Sequence, residues 1–205
     1  MQHLGLPAAR SELGNRAVGE HLPPGARLEE HFISAERGAA LLEAIDAEPW
    51  LGDLARRVQH YGWRYDYRAR KVTSSMALGA LPDWSEPECL RIAALSGFDR
   101  PPDQIIVNEY LPGQGISAHV DCVPCFGPAI ASLSLGGPVE MVFRHPPSGR
   151  TFKTLLPPLS LLVLTGEARR DWTHAIPARK TDMIAGCKVS RGRRVSLTFR
   201  TVLHG

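Results

Sequence analysis

What most limits the fold is a change of texture after residue 103. Gln104–Tyr110, Ala129–Leu135, Val139–Arg144, Thr151–Leu156, Ser160–Thr165 and Arg194–Val202 are short strand-like runs. Most alternate apolar with polar residues, and Pro/Gly turns separate them. Pro146-Pro-Ser-Gly149 reads as a hairpin tip. Short, regularly spaced strands of this kind predict an antiparallel sandwich or barrel of jelly-roll type, with helices supplied by the N-terminal half. The expected fold class is therefore mainly β with helices. Residues 1–27 form a loose arm rich in Gly, Pro and Arg, residues 28–103 an α/β extension, and residues 104–205 the jelly-roll core, the last two making one domain.

Two helices are expected upstream. Ser34–Ala47 has a capping Ser34, an acidic first turn at Glu36, and Leu41, Leu42 and Ile45 on one face. Ser85-Glu-Pro-Glu88 reads as a capping box that opens a helix through Leu90, Ile92 and Leu95 to Gly97. With 43% hydrophobic and 22% charged residues the chain has a globular protein's composition. No apolar run approaches the roughly 20 residues of a membrane span. The first residues lack a signal-peptide core, so a cytoplasmic protein with no membrane partner is expected, acting as a monomer. A net charge of +3 permits a nucleic-acid partner without demanding one. Four cysteines in a chain of this size do not make a disulfide framework.

His119 and Asp121 are two apart, so on an extended backbone an imidazole and a carboxylate point to the same side and can approach one cation. H-x-D alone is a weak motif in a chain with eight histidines. Trp172-Thr-His174 supplies a third donor several strands later, and two His with one carboxylate make the facial triad of non-haem Fe(II) oxygenases. The competing reading is that these are surface or turn histidines. The C-terminal strand weighs against it. On a period-2 strand Arg194, Ser196, Thr198 and Arg200 share one face, and Val195, Leu197 and Phe199 the other. Two guanidinia in a polar stripe suit a dicarboxylate; the alternative is an edge strand with a solvated basic face. Asn108 and Tyr110, also two apart, can point into the same cavity.

In order, the chain carries Asn108-x-Tyr110, P-G-x-G-I at 112–116, His119-x-Asp121, S-L-S-L-G at 132–136, F-R-H-P at 143–146, L-L-V-L-T-G-E-A-R at 161–169, W-T-H-A-I at 172–176 and R-x5-R at 194–200. This set resembles the AlkB family of Fe(II)- and 2-oxoglutarate-dependent dioxygenases over roughly residues 28–202, most strongly from 104 onward. The resemblance implies a double-stranded β-helix core with a substrate lid in the N-terminal extension. It implies Fe(II) held by His119, Asp121 and His174, with 2-oxoglutarate as cosubstrate and O2 as oxidant. Arg194 would meet the distal carboxylate, supported by Tyr110 and Ser196, while Arg200 and Asn108 lie nearer the keto-acid end. The implied chemistry turns 2-oxoglutarate into succinate and carbon dioxide while a substrate C–H bond is hydroxylated, and a hydroxylated N-methyl group then leaves as formaldehyde.

The implied substrate is an alkylated or modified base in DNA or RNA, single-stranded or flipped from its stack. Trp63, Tyr65 and Tyr67 alternate as if on a strand among Arg64, Arg68, Arg70 and Lys71, so they could stack a base while the cations meet phosphates. The other reading is an aromatic strand packed on the barrel. Arg169 and Trp172 are candidates to border the same pocket, Trp172 being equally a core residue. The repair members keep an acidic pair after the metal Asp, whereas this chain has Cys122-Val-Pro-Cys125. S-L-S-L-G, F-R-H-P and W-T-H are instead similar to the AlkB-like domains of eukaryotic tRNA wobble-uridine hydroxylases. The two cysteines read first as a structural loop, then as half of an auxiliary zinc site with Cys187 and a His, then as a redox pair. Two rival functions stand beside base oxidation: the same chemistry on a protein side chain, and a non-catalytic nucleic-acid-binding module.

Overall fold

A computed structural model describes residues 22–52, 54–184 and 186–203. In chain order its elements are β1 (Ala26–Glu29), α1 (Ala35–Ala47), β2 (Val58–Tyr61), α2 (Glu86–Ala93), β3 (Gln104–Tyr110), β4 (Ile116–His119), β5 (Phe126–Gly136), β6 (Val139–Arg144), β7 (Thr151–Leu156), β8 (Leu161–Leu164), α3 (Gly166–Arg170), β9 (Thr173–Ile176), β10 (Thr181–Ile184), β11 (Cys187–Ser190) and β12 (Arg194–Val202). The strands form a six-stranded sheet in the order β1-β8-β5-β12-β3-β2, a four-stranded sheet β4-β9-β6-β7 and a separate ribbon β10-β11. The assigned pairings are antiparallel, as the strand spacing predicts.

Alternation along the central strands sorts side chains into two cores. Val195, Leu197 and Phe199 of β12, Ile105 and Val107 of β3, and Leu161 and Val163 of β8 face outward under Leu41 and Ile45 of α1 and Ile92 of α2. Leu162 and Leu164 of β8 face the other way, joining Met141 and Phe143 of β6 and Ile176 of β9 between the two sheets. Water reaches neither face of β8, which explains why Leu-Leu-Val-Leu needs no polar alternation. Register then sets the polar side of the large sheet: Arg194 lies opposite Tyr110 and Gly136, and Ser196 opposite Asn108 and Ser134.

Four expected strands keep their bounds, at 104–110, 139–144, 151–156 and 194–202; the run at 129–135 extends to 126–136 and that at 160–165 shortens to 161–164. The strands that periodicity did not reveal, β1, β2, β4, β9, β10 and β11, have four residues each, too few to display a period. Ser34 caps α1 by accepting from the Arg37 amide. The capping box at Ser85 is a correction: Ser85 ends a 3-10 turn and its hydroxyl donates back to the Pro82 carbonyl, while Glu88 turns to Arg37 at 2.6 Å. Of the expected loose arm, residues 1–21 lie outside the described residues. Residues 23–27 are held, with the Thr165 and Ala168 amides donating to Gly25 and Pro24 and Ala26 opening β1. Among the described residues, no helix is long and apolar enough to cross a membrane.

Candidate active site

The two sheets enclose a chamber of about 650 Å³, and β4, β9 and β12 bring the chemistry to it. β4 and β9 pair so that His119 lies directly opposite His174, and their rings sit 4.4 Å apart. The P-G-x-G turn permits this: a Cβ on Gly115 would run into the Ile176 carbonyl, so only glycine lets β4 start this close to β9. Asp121 follows two residues later, with its Oδ1 3.8 Å from His119 Nε2. One donor atom from each of His119, Asp121 and His174 lies within 4.8 Å of the others.

Each donor is in the form a cation requires. His119 Nδ1 lies 2.8 Å from the Ser117 carbonyl, a partner that can only accept, which leaves the Nε2 lone pair free. Burial pushes His174 down to about 4, so it is neutral at pH 7, and its Nδ1 has no hydrogen-bond partner. Burial works against ionising Asp121, but nearby cationic charge, led by the Arg200 guanidinium at 3.2 Å, outweighs it and holds the carboxyl well below the usual range. Two imidazoles and one carboxylate with open space beside them suit a divalent transition metal.

The expected cosubstrate residues Asn108, Tyr110, Arg194, Ser196 and Arg200 all line the same chamber. Arg194 is 2% exposed, with no carboxylate partner among the described residues. One of its Nη atoms donates to Ser134 Oγ, the guanidinium lies 5.5 Å from the Tyr110 ring centre, and Nε is unpartnered. Burial pushes it down to about 10, with Arg191 adding to the fall and Tyr110 opposing it, and it remains cationic at neutral pH. A buried cation without a counter-ion is costly unless a ligand brings one. Asn108 Oδ1 accepts from Arg56 Nε at 2.8 Å, and Ser196 is buried beside it.

The chain matches the sequence profile of the 2OG-Fe(II) oxygenase superfamily over residues 50–200. It is 30% identical to the human alpha-ketoglutarate-dependent dioxygenase alkB homolog 4, covering 86% of this chain and 67% of that one. The chain belongs to the AlkB family of that superfamily. It is 39% identical to an alkylated DNA repair protein ALKBH8 homolog of Arabidopsis thaliana, over 87% of this chain and 58% of that protein. It is 38% identical to the Xenopus tropicalis tRNA (carboxymethyluridine(34)-5-O)-methyltransferase alkbh8, over 89% of this chain and 32% of that protein. The chain thus spans 58% and 32% of these two relatives' length. The solved structure of OsALKBH1 superposes with a TM-score of 0.63 at 18% identity, covering 89% of this chain and 99% of that one, which shows the shared fold.

As an AlkB-family oxygenase the protein is an oxidoreductase using Fe(II), 2-oxoglutarate and O2. Its chamber fits them: unpartnered nitrogens of His174, Arg194 and Arg200 mark the buried places where a metal and a dicarboxylate would bring the missing partners.

Three expected substrate residues do not reach the chamber. Trp63 forms an isolated bridge to Ala77 and packs partly buried against the inter-sheet core. Arg169 is 3% exposed, and its guanidinium donates to the carbonyls of Asp121, Cys122, Phe126 and Gly127. It clamps the loop after Asp121, because a buried guanidinium must spend its donors on whatever carbonyls surround it. Trp172 is core, with Phe152 and His145 each 5.2 Å from its ring. The segment after β2 is a turn rather than the expected strand, closed by a bridge from Asp66 to Lys71, yet it brings Tyr65 and Tyr67 to the chamber wall. Arg56 and Arg70 line the wall too. Arg70 belonged to the expected basic set, and Arg56 gave no signal in sequence.

Cys122 and Cys125 are bonded to each other, a local link within one turn rather than a framework. The zinc reading is corrected: Cys187 is exposed and free, and among the described residues the His119, Asp121, His174 group is the one found with metal-site spacing. The Arg70 carbonyl sits 3.2 Å from Cys122 Sγ and 3.4 Å from Cys125 Sγ, and Arg70 Nη2 reaches back to the Val120 carbonyl. The cysteine turn therefore packs the Asp66–Lys71 turn against the loop that follows Asp121.

Proposed function

We propose that this oxygenase oxidises a modified base in nucleic acid, by hydroxylation or oxidative demethylation, with His119, Asp121 and His174 holding the iron and Arg194 the distal carboxylate of 2-oxoglutarate. The observation that carries the substrate class is the charge of the segment beside the chamber. From His60 to Lys71 four cations, Arg64, Arg68, Arg70 and Lys71, face one carboxylate, Asp66, and Tyr65 and Tyr67 stand among them. Single-stranded nucleic acid is bound by this combination: backbone phosphates meet the cations and a base stacks on an aromatic face. Relatives that match most of this chain are named for tRNA modification and alkylated-DNA repair, in keeping with that reading.

The bound iron, with 2-oxoglutarate and O2, supplies the oxidation of a C–H bond, forming succinate and carbon dioxide. The chain's own residues position and protect. Arg194, with Tyr110 and Ser196, fixes the far end of the cosubstrate; Asn108, held by Arg56, lines its near end. Arg200 keeps Asp121 ionised and oriented, and Arg169 anchors the carbonyl of the same residue. Tyr65 and Tyr67 wall the place where a flipped base would enter. We place the protein in the cytoplasm as a monomer acting on single strands or flipped bases.

Mass spectrometry of total tRNA, methylated oligonucleotides and methylated peptides incubated with iron, 2-oxoglutarate and oxygen tests the proposal. Loss of one modified nucleoside matched by succinate, and abolished by His119→Ala, is expected. Turnover of peptides alone would overturn the nucleic-acid substrate, and succinate production unaffected by His119→Ala would overturn the iron site.

A further inference from the structure

Tyr65 and Tyr67 wall two cavities, not one. Beyond them lies a second cavity of about 630 Å³, bounded by Leu51, Leu54, Val58, Met76 and Leu78 and by the polar groups of His60, Arg64, Asp66, Arg68 and Ser75. Leu54, Tyr65 and Tyr67 border both spaces. Both volumes lie in the range of small-molecule sites, about 300–1,000 Å³. The two rings meet edge to face at 5.1 Å, and His60 abuts Tyr67 at 5.8 Å, so the partition is a packed aromatic wall. The Tyr67 hydroxyl is buried in it without a hydrogen-bond partner.

We propose that the second cavity is the subsite for the nucleotide next to the target base in the same strand. The inference rests on the nucleic-acid reading and adds to it where the neighbour goes. Its floor and rim differ in chemistry: Leu51, Leu54, Val58 and Met76 offer an apolar surface for a base, and exposed Arg64 and Arg68 stand at the rim where a phosphate would lie. Asp66 is partly committed to its own turn, accepting from the Arg68 and Ala69 amides. A strand that places one base against the metal must run its backbone past the shared wall, and the adjacent base then meets the far side of Tyr67. A mononucleoside would fill only the metal chamber. An oligonucleotide would fill both, so this enzyme reads a dinucleotide step, and the residue preceding or following the target contributes to its selection.

The test uses single-stranded RNA heptamers with a central 1-methyladenine and 2-aminopurine on its 5′ or its 3′ side, binding the iron-loaded protein without oxygen. One of the two neighbour positions is expected to be quenched severalfold on binding, because 2-aminopurine loses fluorescence when stacked, and Met76→Lys should remove that quenching. Arg64→Ala with Arg68→Ala is expected to weaken heptamer binding at least tenfold more than binding of 1-methyladenosine. The slope of log affinity against log salt should fall by roughly 1.4, the value for two phosphate contacts on a single strand. Both arginines are exposed, so a folding defect is not expected, and an unchanged melting temperature checks it. Heptamer binding with neither neighbour quenched, or equal losses for heptamer and nucleoside, would overturn the subsite while leaving the nucleic-acid reading intact. No binding of any heptamer by the wild-type protein would overturn both.

Discussion

Arg193 and Arg194 are adjacent in the chain and opposite in circumstance. Arg193 faces the helix side of the large sheet, where Glu109 and Asp46 both accept from it. Arg194 faces the chamber, is 2% exposed and has no carboxylate partner among the described residues. Arg57 and Arg56 repeat the contrast: Arg57 pairs with Glu109, while Arg56 turns inward to Asn108 and lies 5.8 Å from the Tyr110 ring centre. One face of the sheet is thus saturated with its own counter-charges and apolar contacts, and the other keeps charges for something that is not protein. Stability is invested in the first face and surrendered on the second, the usual distribution around a binding site. The contrast can be broken residue by residue.

The largest effect belongs to the saturated face. Phe199 is fully buried under the helices, and Phe199→Ala should cost about 3–5 kcal/mol, lowering the melting temperature on the order of 10 °C. Thermal unfolding of the apoprotein measures it. The neighbouring face should answer differently. Arg194→Met removes a buried charge and keeps the volume, so apoprotein stability is expected to hold or rise. The KM for 2-oxoglutarate should climb roughly 10- to 100-fold, the loss of a charge-assisted contact, with iron affinity nearly unchanged. If Arg194→Met destabilised the apoprotein as Phe199→Ala does, the contrast between faces would fail.

Acid should expose the same asymmetry at smaller scale. Hydrogen bonds from Arg57 and Arg193 hold the Glu109 carboxyl below its ordinary range, against the effect of burial. Because its folded-state pKa lies below the unfolded value of about 4.3, Glu109 contributes stability that is complete above that value and is lost as the pH falls through the folded one. Melting temperatures between pH 7 and pH 3 should therefore decline at the acid end, and Glu109→Gln should flatten part of that decline. A variant curve parallel to wild type throughout would assign the acid sensitivity elsewhere.

How much of this was legible in the sequence follows from what each feature needed. The facing of β12 could be read because nine residues show a period, and the triad because H-x-D and a later His survive as motifs with the arginine strand behind them. The pairing of His119 with His174 could not be read from β4 and β9, whose four residues carry no alternation; it was the ordered motif set that pointed to it. Arg169 and Trp172 misled because an Arg and a Trp beside a metal His resemble a binding rim, and only packing reveals that the guanidinium is consumed by four carbonyls. The Tyr65 and Tyr67 segment reached the chamber although it is a turn, not a strand, since aromatic spacing by two is satisfied by several backbones. Arg56 was silent: nothing local distinguishes it from Arg57, and the sheet alone decides which points inward.

The smallest effect tests the partition between the two cavities. The Tyr67 hydroxyl is buried and unpartnered, so it contributes no hydrogen bond to the folded apoprotein. Removing an unsatisfied buried polar group is neutral or slightly favourable, and Tyr67→Phe should change the melting temperature by no more than 1–2 °C, consistent with about 0.5 kcal/mol or less. If the hydroxyl is reserved for substrate, the same variant should still raise the KM for a nucleic-acid substrate several-fold while leaving that for 2-oxoglutarate unchanged. Tyr110 offers the internal control, because its ring lies against Arg194 and its loss should fall on 2-oxoglutarate instead. Opposite KM responses from Tyr67→Phe and Tyr110→Leu would separate the substrate wall from the cosubstrate wall of one chamber. Identical responses would mean that the chamber is not divided by function along the line between the lid and the sheet.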